Sequence, residues 1–220
     1  MAENGLFVVL EGIDNSGKTT QSGLLKNWFE EKSLPVLQTR EPGGTEVGEE
    51  IRVVLLKDRP QMMSAVAQTL LFYAARAEFL NNIVRPNLLN GVNVLSDRFE
   101  ASTYAYQGFA QHVDTRFIND LHRHIVKHAA MSPDLYIILD IPSEESIKRE
   151  ENDDNIGQKL IFEKQGSQFR ERLTMGYRRF NLSPVGRGAR VIDGMRERQE
   201  IHHDIVEMVE RKLRRNKTNG

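Results

Sequence analysis

The chain has 220 residues, 39% of them hydrophobic, enough to build one sizeable core in a single domain. Its 30 basic and 31 acidic side chains nearly cancel, so no overall field draws it toward DNA, RNA or a membrane surface. The absence of cysteine excludes disulfides, thiolate metal sites and thiol catalysis, and the apolar run that follows MAENG is too short for a signal core or a membrane span, so a cytoplasmic protein is expected.

The first predicted strand is LFVVL (6–10), and EGIDNSGKTTQ follows it directly. Gly12 to Thr19 fits G-x-x-x-x-G-K-[ST] without a mismatch, between a predicted strand and a helix over 18–32 that carries Leu24, Leu25, Trp28 and Phe29 at helical spacing. Glycines let backbone wrap around phosphate oxygens, and a helix N-terminus turns free N–H groups toward them. The candidate cradle for the ATP phosphates is Gly12, Ile13, Asp14, Asn15, Ser16, Gly17, Lys18, Thr19 and Thr20, with Lys18 supplying charge and the Thr19 hydroxyl a ligand for Mg²⁺.

The second strand, PVLQT (35–39), leads into a Gly-rich loop, REPGGTEVG (40–48), that opens with Arg40. The pattern over 68–80 predicts a helix on which Phe72 and Arg76, four residues apart, share a face. The third strand, VNVLS (92–96), ends in Asp97-Arg98: Asp97 is the favoured second metal acid, and Arg98 beside it can neutralise charge on a transferring phosphoryl group. The fourth, LYIILD (135–140), ends in Asp140, which Ile141 and Pro142 mark as structural. A polar run without apolar period, KREENDDNIGQK (148–159), reads as a surface lid, and ARVID (189–193) is the fifth strand. Short apolar strands separated by 25 or more residues predict an α/β fold of the P-loop NTPase type, a five-stranded parallel sheet with helices on both faces.

A GTPase switch would need N-K-x-D and a strand-end D-x-x-G. Here Asn216-Lys-Thr-Asn219 lacks the acid and Asp154-Asn-Ile-Gly157 lies in the charged run. A kinase for a nucleotide acceptor needs arginines outside the phosphate loop to grip the acceptor's phosphate and an aromatic to stack on its base; Arg40, Arg76 and Phe72 have that chemistry. His124 and His128 share a helical face, but no carboxylate set completes a zinc site.

In that order, EGIDNSGKTTQ, TREPGGT, LLFYAARAEF and SDRFEASTYAYQG (96–108), followed by LYIILDIP and FEKQGSQFRERLTMGY (162–177), resemble the successive motifs of thymidylate kinases. The resemblance implies transfer of the γ-phosphoryl of MgATP to dTMP, giving dTDP and ADP in dTTP synthesis, in a homodimer with a lid at about 148–160 and no nucleic-acid or membrane partner. It further implies Phe72 stacked on thymine and Arg76 on its edge, Arg40 and Arg98 on the dTMP phosphate, and Ser102, Thr103 and Gln107 around the base. Tyr106 would press where a ribose 2′-hydroxyl would need room, and Asp14 would lie near the acceptor sugar and Mg²⁺. A deoxynucleoside kinase, or a nucleotide-binding protein without turnover, are the alternatives.

The match departs at the lid. Many relatives place Asp-Arg before the Phe-Glu of this segment, whereas Leu160 and Ile161 precede Phe162 and Glu163, and Asn15 stands where other members carry an Arg in the phosphate loop. Lys148, Arg149 and Lys159 remain as candidates for the γ-phosphate, with Arg149 favoured for that role or for stacking on adenine.

Overall fold

The computed structural model describes residues 4–59, 61, 63–127, 131–151 and 166–219, with side chains to 216. His128, the part of the expected lid beyond 151 with Lys159, positions 160–163, and the D-x-x-G at 154–157 lie outside them.

Five strands, β1 (Phe7–Glu11), β2 (Val36–Arg40), β3 (Asn93–Asp97), β4 (Leu135–Asp140) and β5 (Arg190–Asp193), form one parallel sheet in the order β2-β3-β1-β4-β5. Each lies within a residue of its predicted position; the central strands β1 and β4 are buried along nearly their whole length and so read as continuous apolar runs, while the edge strands β2 and β5 are partly exposed and carry polar residues. Strand alternation divides the run LFVVL between two cores. Phe7 and Val9 join Tyr73, Phe79, Phe99, Tyr136 and Phe180 on one face, while Leu6, Val8 and Leu10 join Leu25, Phe29, Ile201, Ile205 and Val209 on the other. Full burial of each such side chain contributes roughly 1.5–3 kcal/mol, so a polar residue at any of positions 6–10 would weaken one core or the other.

The second core is roofed by α1 (Lys18–Glu31) and α9 (Arg198–Asn219), whose Ile201, Ile205 and Val209 recur every fourth residue on one face. Over the first lie α3 (Ala65–Phe79) and α8 (Ser167–Phe180), with α2 (Glu46–Leu56) packed on α3. Helical structure runs on from α3 through a π turn at Leu80–Val84 into α4 (Arg85–Leu89). The turn has a local cause: Pro86 lacks an N–H and its ring would collide with the carbonyl four residues back, and just ahead of it Arg85 N–H donates five residues back to Leu80 O. A second π segment, Tyr104–Ala110, continues α5 (Glu100–Thr103), a third, Arg123–Lys127, continues α6 (Thr115–His122), and α7 (Ser143–Glu151) completes the described helices. The sequence pattern contained none of these three π segments.

Parallel pairing brings the C-terminal ends of β1, β2 and β3 to one edge: Leu10 and Arg40 both register with Asp97. The loops that leave those ends carry the phosphate motif, the Arg40–Gly44 turn and Arg98, as expected for a ligand crevice in an open α/β sheet.

Candidate active site

The phosphate loop is held open by its own backbone. Gly12 has φ +139°, and a Cβ there would stand 2.5 Å from Leu139 O, so only glycine lets β1 turn so close to β4. Gly17, at φ +94°, is the N-cap of α1 and provides no side-chain acceptor, leaving the first-turn N–H groups directed at the loop. Lys18 lies beneath them, buried, its Nζ donating to Ile13 O at 2.8 Å. Burial, and next the nearby Arg98, bring its pKa down to about 8 against the opposing pull of Asp14, Asp97 and Glu11.

Two clefts flank this loop. One is a cavity of about 620 Å³ of empty space, including its open mouth, walled by Asp14, Glu41, Pro42, Arg52, Leu56, Phe72, Arg76, Arg98, Phe99, Ser102, Thr103, Tyr106 and Gln107. Phe72 and Arg76 stand one turn apart on α3; Ser102, Thr103, Tyr106 and Gln107 come from α5 and the π segment that extends it. The other cleft lies between β2 and the start of α1 and is lined by Thr19, Arg40, Glu49 and Asp97 among others. There Arg40 is exposed and paired with Glu49 at 3.3 Å. Sequence reasoning had set Arg40 on the acceptor phosphate, but its side chain does not line the cavity; Arg52, which donates to Pro42 O at 3.0 Å, does.

Asp14 and Arg98 join the loop to the cavity. Arg98 Nη2 pairs with Asp14 Oδ1, Tyr106 donates to Asp14 Oδ2 at 2.9 Å, and Arg98 Nη1 reaches Gly12 O, Ser102 Oγ and the Tyr177 hydroxyl at 3.0, 3.1 and 2.7 Å. Burial alone would raise the Asp14 pKa, but Arg98 and Lys18 outweigh it and hold the carboxyl below its ordinary value. Arg98 adopts φ +72°, uncommon outside glycine and costing on the order of 1–3 kcal/mol, which the surrounding hydrogen bonds must offset. Glu11, fully buried, contributes to that offset: it accepts from Phe99 N–H at 2.7 Å, Ser102 N–H at 3.2 Å and Ser102 Oγ at 2.7 Å, fixing the turn on which Arg98 sits.

Arg76 is the largest fully buried side chain, paired with Glu41. Gln107 approaches Gln68 and Gln111 at 3.5 Å, a weak contact in which Gln111 and Gln68 make the better bond at 3.1 Å. On the far side of the loop α7 binds it directly: Ser146 Oγ donates to Asp14 O at 2.8 Å, Asn15 Nδ2 to Ser146 O at 3.3 Å, and Arg149 Nη1 to Asn15 O at 3.2 Å. Arg149 also pairs with Glu145 at 2.7 Å and approaches Gly194 O at 3.4 Å. Asp140 is bridged by Arg178 through both oxygens at 2.9 Å, a surface pairing away from both clefts.

The donor set suits a hard divalent cation. Asp97 Oδ1 is buried with no hydrogen-bond partner among the described residues, and Thr19 lines the same cleft, so a carboxylate oxygen and a hydroxyl are both available to Mg²⁺. No group of three or more His, Asp or Glu side chains that could hold a metal ion occurs among the described residues.

The family model for thymidylate kinase matches residues 10–205. The chain belongs to the thymidylate kinase family. It is 36% identical over 203 residues to the thymidylate kinase of Fervidobacterium nodosum, covering 92% of this chain and 98% of that one. To that of Neisseria meningitidis serogroup B it is 37% identical, over 93% and 96% of the two chains. The crystal structure of thymidylate kinase from Ehrlichia chaffeensis superposes with a TM-score of 0.72 at 29% identity, covering 94% of this chain and 99% of that one. Family, fold and phosphotransferase class thus agree with the resemblance read from the motifs.

Four residues of this thymidylate kinase site had no assigned role in the sequence reading: Glu11, Glu41, Arg52 and Tyr177. Glu41 had a visible signal, an acid in a Gly/Pro-rich loop directly after Arg40, and Tyr177 closes a quoted family segment. Glu11 and Arg52 had none, since their roles arise from what lies across the sheet edge and across the α2 turn.

Proposed function

We propose that the chain transfers the γ-phosphoryl group of MgATP to the 5′-phosphate of dTMP, releasing dTDP and ADP. The observation that carries this reading is the Asp14–Arg98–Tyr106 junction, through which the phosphate loop and the acceptor cavity share one wall. An oxygen of the acceptor phosphate attacks the γ-phosphorus in line, and the bond to the β–γ bridging oxygen breaks with its electron pair leaving on ADP. The acceptor oxygen is already anionic, so no side chain need remove a proton. The protein's part is positioning and charge neutralisation.

The N–H groups of Gly12 to Thr20 cradle the donor phosphates, and Lys18 swings from Ile13 O to their oxygens. Arg98 already spans from Gly12 O to the cavity and neutralises charge on the phosphoryl group in flight; Arg52, with Arg40 from the neighbouring cleft, meets the acceptor phosphate. Phe72 stacks on the base, Arg76 reads its edge, Ser102, Thr103 and Gln107 flank it, and Tyr106, fixed by Asp14, excludes a 2′-hydroxyl. Thr19 and Asp97 would hold Mg²⁺, which would supply positive charge to neutralise the donor phosphates. Arg149, lying on the loop at Asn15, serves the donor nucleotide rather than the acceptor.

Homodimer formation is part of this reading. Val47, Val53 and Val54 on α2 and Val66 and Leu70 on α3 are each 40–68% exposed, on two helices packed side by side. No described helix is long and apolar enough to cross a membrane.

The test is ADP formation from MgATP with dTMP, thymidine and dUMP as separate acceptors. Turnover is expected with dTMP and not with thymidine, and Arg98→Ala should lower kcat by about 10²-fold or more, the usual loss on removing a group that stabilises transition-state charge. Turnover with thymidine alone would mean a nucleoside kinase, and binding of MgATP with no turnover a nucleotide-binding protein.

A further inference from the structure

We propose that Glu41 is a positioning residue for acceptor selection, clamping Arg76 so that one guanidinium nitrogen, Nη1, is left to recognise a ring that presents a carbonyl oxygen. This rests on the cavity being the acceptor site, and adds to that reading the residue that decides which donors Arg76 can offer.

The geometry is a count of donors. A guanidinium has five N–H groups. Glu41 lies 2.8 Å from Nε through Oε1, and its Oε2 accepts from both Nε and Nη2 at 3.1 Å. Nη2 also donates to Phe99 O at 3.1 Å and Thr103 Oγ1 at 3.0 Å, leaving Nη1 buried with no hydrogen-bond partner among the described residues. The planar group is pinned by ring contacts as well, its central carbon 4.6 Å from the centroid of Tyr73 and 4.9 Å from that of Phe99. Both Arg76 and Glu41 line the cavity. An unsatisfied charged donor at a cavity wall is costly to leave unpaired, so the ligand that relieves it is selected over one that does not.

Two consequences follow from the clamp. First, Nη1 can only donate, so a ring carbonyl pairs with it, whereas an exocyclic amino group would set donor against donor; a 4-oxo pyrimidine is favoured over a 4-amino one. Second, Glu41 cancels the charge on Arg76, so that side chain competes little for the acceptor's phosphate, which is left to Arg52 and Arg98 at the same cavity. A neutral residue at 41 would leave a bare cation beside the base and invite the phosphate to the wrong end.

Glu41 is itself poised to titrate. Burial lifts its pKa to about 7 against the pull of Arg76, and the carboxylates of Glu100 on α5 and Glu11 on β1 add to the rise. As pH falls through 7 the clamp is protonated and loosened. Glu100 in turn faces His122 at 2.8 Å, and the acceptor's own phosphate titrates near 6, so the pH dependence must be read as a difference between wild type and a variant that lacks the Glu41 carboxyl.

The experiment compares wild type, Glu41→Gln, Glu41→Asp, Arg76→Leu and the double variant Glu41→Gln/Arg76→Leu. Each is assayed for kcat and KM with dTMP and with dCMP between pH 6 and 8.5, with thermal melts and MgATP binding as checks of fold. Glu41→Gln is expected to raise KM for dTMP by roughly 10- to 100-fold, the range for a lost hydrogen bond to a charged group, with a smaller change in kcat. It should also narrow the dTMP-to-dCMP ratio of kcat/KM and flatten the rise in KM that wild type shows below pH 7. Glu41→Asp should recover part of the loss, and the double variant should lose no more than Arg76→Leu alone, because one residue acts through the other. A Glu41→Gln enzyme that melts lower but keeps its KM, selectivity and pH profile would overturn the proposal and leave Glu41 a packing residue. Should Glu41→Gln not fold, an unchanged KM and ratio in Glu41→Asp, together with a wild-type KM flat across pH 7, would overturn it equally. Wild type without dTMP turnover would instead refute the functional reading, a separate outcome.

Discussion

Lys18 shows how a single residue couples ligand binding to pH. With its pKa brought down to about 8 by burial and by Arg98, it is largely neutral at pH 9. Phosphate oxygens favour the charged form, so nucleotide binding at pH 9 should take up a proton, while binding at pH 6.5 should take up almost none at this site. Calorimetry in buffers of different ionisation enthalpy measures the uptake directly, and equal, near-zero uptake at both values would mean that Lys18 keeps its ordinary pKa. Residues of this kind were legible in the sequence because G-x-x-x-x-G-K-[ST] after a strand imposes one geometry, and because Phe72 and Arg76 four apart on a helix must share a face. Glu41 and Glu11 were not legible as partners. Nothing in a linear pattern says that an acid after β2 will meet an arginine 35 residues on, or that the last residue of β1 will receive the N–H groups of Phe99 and Ser102. Arg40 stands at the strand end its sequence position indicates, and its place in the cleft beside Glu49 is set by an ion pair that a linear pattern does not display.

At the scale of elements, the central strands β1 and β4 were readable because burial on both faces writes an apolar run, and the π segments were not, because no periodicity marks them and one, at Leu80–Val84, is a local accommodation to Pro86. The packing of the Tyr104–Ala110 segment is tight where α8 crosses it. A Cβ on Gly176 would stand 2.7 Å from Ala105 Cα and 2.9 Å from Phe109 Cβ, neither of which can yield without moving backbone. Gly176→Ala should therefore cost about 1–3 kcal/mol despite alanine's better helix propensity. Gly23, within α1, has nothing within 4 Å of the same position, and there the substitution should instead stabilise by roughly 0.5–1 kcal/mol. Urea midpoints of the two variants would check the contrast; equal shifts would mean that α8 does not lie so close to Ala105. Since α8 also carries Tyr177, whose hydroxyl accepts from Arg98, displacing the helix should weaken acceptor binding as well as the fold.

For the whole molecule, the exposed valines and leucine of α2 and α3 bear on assembly. Leu70→Glu or Val53→Glu should convert a dimer to a monomer in sedimentation velocity at micromolar protein, because a charge at the centre of an apolar interface loses its water without gaining a partner. A dimer that survives both substitutions would move the interface elsewhere. Because α2 carries Arg52 and α3 carries Phe72 and Arg76, a partner seated on these helices would lie behind the acceptor cavity, and a monomeric variant should also bind its acceptor less tightly.

Asp14 belongs to the donor's loop by its backbone and to the acceptor's cavity by its side chain, and that double membership has a thermodynamic corollary. With donor and acceptor bound as proposed, each would alter the charge and hydrogen bonding that the other meets. Whatever factor a bound donor imposes on the acceptor's dissociation constant, the acceptor must impose the same factor on the donor's, and Asp14 is one of the groups through which that shared factor would pass.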